Sequence, residues 1–401
     1  MAAEGSSSRR TTVLVVTLIA LSAILTVADV RWPLEDFVEY WAAGRLNAAG
    51  VNPYDPTALL HEQAQVGWSD RTPDMMYNPP WALAIAMPIG ALDFQAARSI
   101  WLSVQILITL WCASQLWTLY GGASNRSTLA WSLALLWFPT MVAGRLGQIS
   151  TVILLGLVGF LVCVSARRDL AAGMFFAMTA VKPQLVALVW VPVMLWALAD
   201  RRFKVLAGVA VALLGASLAA LAANPAVFAQ YLHLMTSAPP QLSFESPNVA
   251  TVLRVALRTQ GTWPQYVPML VGAAGVAVLW YRRRATWEWH REMPGLVLLS
   301  CLLTSYGGWT CDLVVLLVPI VSLAVAVERS GRASLWVGAG AAFAAVSALG
   351  LALHQLQVPQ AAFIWMTPAV TIAWLALSRS AAPAEAWSFT LSASGNCGPS
   401  H

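Results

Sequence analysis

The chain has 401 residues, 59% of them hydrophobic and 10% charged, with a formal net charge of +5. An ordinary soluble domain is about 45–50% apolar and about 25% charged, so the composition excludes a soluble globular enzyme, a disordered chain and a nucleic-acid module. Long apolar runs recur from end to end, and lipid admits them only as helices, because it cannot satisfy open backbone.

Arg9 and Arg10 precede an apolar run at 11–30. It exceeds a signal-peptide core and no small-x-small cleavage site follows, so it reads as a first, uncleaved transmembrane helix. Further runs sit near 79–92, 94–120, 127–143, 149–166, 170–181, 184–199, 203–222, 264–281, 294–309, 312–327, 335–353 and 361–378. Basic clusters punctuate them at Arg9-Arg10, Arg126, Arg167-Arg168, Arg201-Arg202 with Lys204, Arg282-Arg283-Arg284 with Arg291, Arg329 with Arg332, and Arg379.

The positive-inside rule places these clusters in the cytoplasm. If 79–92 spanned, every later cluster before 203–222 would fall on the wrong side. That run is short, opens with Pro79-Pro80 and contains Pro88, which suits an outer juxtamembrane helix better than a span. The expected topology is then twelve spans with both termini cytoplasmic. The charge sorts as +8 inside and −3 outside. The run 170–181 is about 18 Å long as a helix and, with 184–199, could form a hairpin that dips around an aqueous cavity. Residues 1–381 form one domain, with outer loops at 31–92 and 223–263, and 382–401 read as a flexible cytoplasmic tail. Cysteines at 112, 163, 301, 311 and 397 are odd in number and lack metal or disulfide spacing.

The first outer loop opens on 34–46, where Phe37, Tyr40, Trp41 and Gly44 fall on one face of an amphipathic helix. Asp36 stands at its N-cap or first turn, so it is either a cap or a carboxylate available for chemistry. A turn cluster follows at 50–56, then Tyr77-Asn78-Pro79-Pro80-Trp81. Gly147-Gln148 and Val181-Lys182-Pro183 are later polar breaks on the same side. Lys182 is one of only two lysines in the chain. It either snorkels to the outer headgroups or supplies a point charge for a phosphate. Arg254 and Arg258 follow Ser246-Pro247-Asn248 one helical turn apart, and the last break runs Thr304-Ser305-Tyr306-Gly307-Gly308-Trp309-Thr310-Cys311-Asp312. All these breaks face outward in the expected topology.

Their order resembles glycosyltransferase family 87, a GT-C-type family that includes polyprenol-phosphate-mannose-dependent mannosyltransferases of phosphatidylinositol mannosides. The resemblance covers roughly 30–320. It rests on Asp36-Phe37 with Tyr40, Asn52-Pro53-Tyr54-Asp55, Tyr77-x-Pro79-Pro80, Gly147-Gln148, Lys182-Pro183, Ser246-x-Asn248 with Arg254, and Ser305-x-x-x-Trp309. It implies an all-α helical bundle in the plasma (inner) membrane, with an extracytoplasmic cavity roofed by the first outer loop and Asp36 as catalytic base. Two departures stand out: Cys311-Asp312 where relatives often carry histidines, and Ser305-Tyr306 where Ser-Pro is usual.

The expected reaction moves a sugar, mannose first, from a polyprenyl-phosphate donor to a hydroxyl of a lipid-linked or cell-envelope glycan, with inversion. Lys182, Arg145, Arg254 and Arg258 are the candidates for the donor phosphate. Gln148, Asn248, Tyr40, Trp41, Tyr77, Trp81 and Trp309 are the candidates for sugar and acceptor. No cofactor is expected and no metal site is assigned, although Asp36 and Glu35 could share a divalent ion. The partners are donor, acceptor and bilayer, with no nucleic acid. Rival readings are an arabinofuranosyltransferase of the same fold, a polyprenyl-diphosphate-using glycan polymerase or ligase, and a lipid or glycan transporter or flippase.

Overall fold

A computed structural model describes residues 34–237, 246–258 and 261–381. The 11–30 run and the tail from 382 lie outside the described residues, as does Cys397. Every regular element among the described residues is helical. Five helices there are long and apolar enough to cross a membrane: Phe94–Leu119, Phe203–Ala223, Asp312–Ser330, Ala333–Gln355 and Gln360–Ser378. Counting each of two bent pairs as one span raises the number to seven, against the twelve expected. Several apolar runs instead end in shorter helices, such as Ser150–Ser165 and Trp289–Leu303. The outward faces are oily, with Leu218 63% and Val337 72% exposed. Such surface suits lipid and would be a liability in water.

The two bends matter most. Ser124–Leu136 and Phe138–Leu146 meet at 60°, and Asp169–Val181 and Pro183–Ala199 meet at 120°. Pro139 and Pro183 fall at the first positions of the following helical segments, where a missing N–H costs nothing. The second bend has the geometry of a broken span or of a re-entrant loop, with Lys182 at its apex.

Helix Phe37–Ala48 forms as expected, but it is not an amphipathic surface helix. Phe37 through Gly44 are all buried, Glu39 included. Its small residues explain why: a Cβ on Gly44 would lie 2.1 Å from the Ala86 carbonyl oxygen, so helix Leu83–Gly90 packs directly on its backbone. That eight-residue helix is about 12 Å long, too short to span. Cys112, Cys163, Cys301 and Cys311 are buried free thiols.

Candidate active site

Asp36 starts helix Phe37–Ala48, yet its side chain makes no capping hydrogen bond. It is half-buried and accepts instead from Gln148 Nε2. Gln148 is the hub of the site. Its Oε1 accepts from the Tyr40 hydroxyl at 2.8 Å and from Lys182 Nζ at 2.7 Å. Four expected residues, from three distant segments, thus meet in one hydrogen-bonded group.

The turn that presents Gln148 is fixed from below. Helix Phe138–Leu146 ends at Gly147, whose φ is 73°, in the left-handed region that favours glycine. The exposed carbonyls at its end are taken by helix Phe94–Leu119. The Arg98 guanidinium donates to Gly144 and Arg145 oxygens at 2.6 Å each, Trp101 Nε1 to Gly147 O at 2.8 Å, and Gln105 Nε2 to Gln148 O at 2.7 Å. A Cβ at 147 would also sit 2.6 Å from Phe37 Cβ, next to Asp36. Gly147→Ala should therefore cost about 1–3 kcal/mol of stability and lower activity with it. A thermal midpoint equal to wild type would contradict this.

Lys182 is set by the first outer loop and by the last break. Asn78 Nδ2 donates to Val181 O at 2.8 Å and Trp81 Nε1 to Ala180 O at 2.9 Å. The Tyr54 hydroxyl donates to Asn78 O at 3.2 Å, which ties the Asn52–Asp55 turn into the same contact. On its other side Lys182 pairs with Asp312 at 2.9 Å, a carboxylate only 1% exposed. Asp312 also accepts from Ser150 Oγ at 2.5 Å and from the Gly308 and Trp309 backbone N–H groups at 3.1 Å each.

Sequence reasoning counted Asp312 as a departure and gave Ser150 no role. The available signal was an acid at a polar break between two apolar runs in a chain with only two lysines. The remaining candidates stand elsewhere. Trp41 is buried with its indole N–H on Leu92 O at 3.0 Å and its ring edge-on to Phe94. Asn248 caps helix Val249–Leu257 and donates to Gly307 O at 3.0 Å, so both ends of its amide are occupied. Trp309 lies edge-on to Tyr306. Tyr77 is half-buried, close enough to Glu39, Asp74 and Tyr306 to feel their charge. Arg145 is exposed at the rim, paired with Glu35 at 3.2 Å and 3.3 Å from His354 Nε2. Arg254 is half-buried with its Nε unpartnered, and Arg258 is exposed at the helix end. Neither makes a hydrogen bond to the Gln148 group. Among the described residues, no cluster of three or more His, Cys, Asp or Glu side chains is placed to hold a metal ion.

Burial pushes the Asp36 carboxyl above the ordinary 3.8, the Gln148 hydrogen bond and the Lys182 charge pull it back, and Glu35 pushes it up. Asp74 is raised to about 7 by burial and then by Asp36, and buried Glu39 is raised further by its own burial and these two acids. Lys182 and one hydrogen bond pull both Asp36 and Glu39 back toward the anion, and of the two Asp36 is the half-buried one and Glu39 the buried one.

The sequence model of glycosyltransferase family 87 matches residues 76–306, more than half of the chain. The chain belongs to glycosyltransferase family 87. It is a membrane glycosyltransferase, which takes a sugar from a donor to an acceptor. The match includes Gln148, Lys182 and Asn248, while Asp36, Tyr40 and Asp312 lie outside it. No curated protein matches the chain, and no solved structure does.

Proposed function

We propose that this family 87 chain transfers a sugar, mannose first, from a polyprenyl-phosphate donor to a hydroxyl of a lipid-linked or cell-envelope glycan. The observation that carries the reading is the Asp36–Gln148–Lys182 group, which sets a base and a cation on either side of one amide. Asp36 takes the acceptor proton as the acceptor oxygen attacks the anomeric carbon. The bond from that carbon to the phosphate oxygen breaks, and polyprenyl phosphate leaves with the electron pair. One displacement inverts the anomeric centre.

Lys182 meets the charge that grows on the leaving phosphate. An ammonium has three N–H donors; Gln148 and Asp312 take two, and the third serves the phosphate. Arg254, with its unpartnered Nε, is the next candidate for that anion, and Arg145 and Arg258 are outer-rim cations. Tyr40, Tyr77, Trp81 and Trp309 are assigned to sugar and acceptor contacts. Trp41 and Asn248 act from beneath as supports. The site faces outward from the plasma membrane, with both termini cytoplasmic; the +8 and −3 division of charge supports that orientation.

The test is purified protein in lipid nanodiscs, given radiolabelled polyprenyl-phosphate-mannose and a lipid acceptor. Sugar gained by the acceptor with equimolar release of polyprenyl phosphate is the expected result. Uptake of donor into sealed vesicles without transfer would make the chain a transporter instead. A pH dependence follows too. The base works only when ionised, so activity is lost as pH falls through the Asp36 value, which burial places above 3.8. The acid limb of kcat/KM should therefore lie above that of a free aspartate. A limb at or below 3.8 would remove Asp36 from the role.

A further inference from the structure

We infer that Asp312 is a positioning residue that holds Lys182 off the base. The inference rests on the function proposed above, and it starts from a crowding problem. Lys182 feels three carboxylates: Asp312 in direct contact, Glu39 through space, and Asp36 across the Gln148 amide. Were Asp312 uncharged, Asp36 would be the carboxylate joined to the ammonium through a single amide, while Glu39 is pushed toward its neutral form by burial. A direct Lys182–Asp36 pair would occupy the base and the phosphate cation at once. The structure avoids this by giving the ammonium a dedicated counter-ion.

Asp312 is built for that task. One carboxylate oxygen takes Lys182 Nζ at 2.9 Å and Ser150 Oγ at 2.5 Å, and the other takes the Gly308 and Trp309 N–H groups at 3.1 Å. These donors come from three segments: the 120° bend, the start of helix Ser150–Ser165, and the 307–309 turn. The carboxylate cannot swing without breaking contacts to all three. Gln148, fixed by its own carbonyl on Gln105, is the spacer that carries the base's hydrogen bond.

The chain's two lysines make the test independent of activity. Competitive acetylation with acetic anhydride, read by mass spectrometry, follows the Lys182 amine against Lys204, which is exposed. The titratable groups facing Lys182 are Asp36, Glu39, Tyr306, Cys311 and Asp312. In full-length Asp312→Asn the ammonium re-pairs with Asp36, so the pH of half-labelling should stay within about half a unit of wild type and fall by about one unit or more only when Asp36→Asn is added, with Lys204 unmoved. A midpoint that already falls by about one unit in Asp312→Asn alone, with no further fall when Asp36→Asn is added, overturns the inference.

In the transfer assay, Asp312→Asn should lower kcat by about 10²-fold and move the acid limb to lower pH, because the freed ammonium now stabilises ionised Asp36. A purely structural role would cut activity without moving that limb, and an unmoved limb also counts against the inference. Should Asp312→Asn not fold, Asp312→Glu keeps the charge and displaces it. Its half-labelling pH should stay near wild type while kcat falls, and a wild-type kcat there overturns the positioning role. If the wild-type protein shows no transfer from any polyprenyl-phosphate sugar, the proposed function fails, and the labelling result still decides on Asp312.

Discussion

Asp36→Asn should lower kcat by about 10²–10⁴-fold, the range that general-base catalysis contributes, and leave donor binding within a few-fold of wild type. The substitution is nearly isosteric. The asparagine carbonyl can still accept from Gln148 Nε2, so the hydrogen bond that orients the side chain persists while the proton acceptor is gone. The neighbouring acids cannot stand in for it. Glu35 is paired with Arg145 at the rim, and Glu39 is 8% exposed and pushed toward its neutral form. Single-turnover measurement with bound donor separates the two effects. Transfer at more than about a tenth of the wild-type rate would sink Asp36 as base, and a large loss of donor affinity would recast it as a binding residue.

Lys182→Met should act twice. A well-placed donor at a developing negative charge is worth about 3–4 kcal/mol, which is about 10²–10³-fold in kcat. Removing the ammonium also leaves buried Asp312 without its counter-ion, and breaking one side of a buried pair costs about 3–5 kcal/mol of stability. The two losses have different cures. Adding Asp312→Asn to Lys182→Met should recover part of the stability, because the neutral amide no longer needs a cation, and recover none of the rate. Thermal midpoints and turnover across the double-mutant cycle measure this. If the double variant regains turnover, Lys182 has only a structural role.

How much of this was legible in the sequence depended on the range of the interaction. Asp36, Tyr40, Gln148 and Lys182 stood out because each is polar at a break expected to face outward in an otherwise apolar chain, and burying polar groups is expensive. Their meeting at Gln148 is a tertiary fact, but charge sorting had already put them on one side. Asp312 was hidden because its value lies in partners 130 and 162 residues away. Read locally, it was only a departure from a motif. Trp41 shows the converse. Periodicity found its stripe but not what covers it, and the helix proved buried nearly all round. The span count differs for a related reason: the 170–181 and 184–199 runs join in one 120° bend, and the runs 149–166 and 294–309 form helices of 16 and 15 residues.

The Gln148 amide has one further consequence. Its oxygen is committed to two donors and its nitrogen to Asp36, and a neutral amide in that orientation has no lone pair on nitrogen with which to pass a proton along. Gln148 is therefore an insulator between the base and the lysine. The proton that Asp36 collects in each transfer cannot be handed to the departing phosphate through the site, and must leave by the half-exposed side of the carboxyl. On the proposed reaction and orientation, each sugar transferred at a pH well above the second pKa of a phosphate monoester, about 6, releases one hydrogen ion overall to the outer medium. In vesicles carrying the protein right side out, turnover should register as a stoichiometric acidification of a weakly buffered exterior, with no matching change in the lumen.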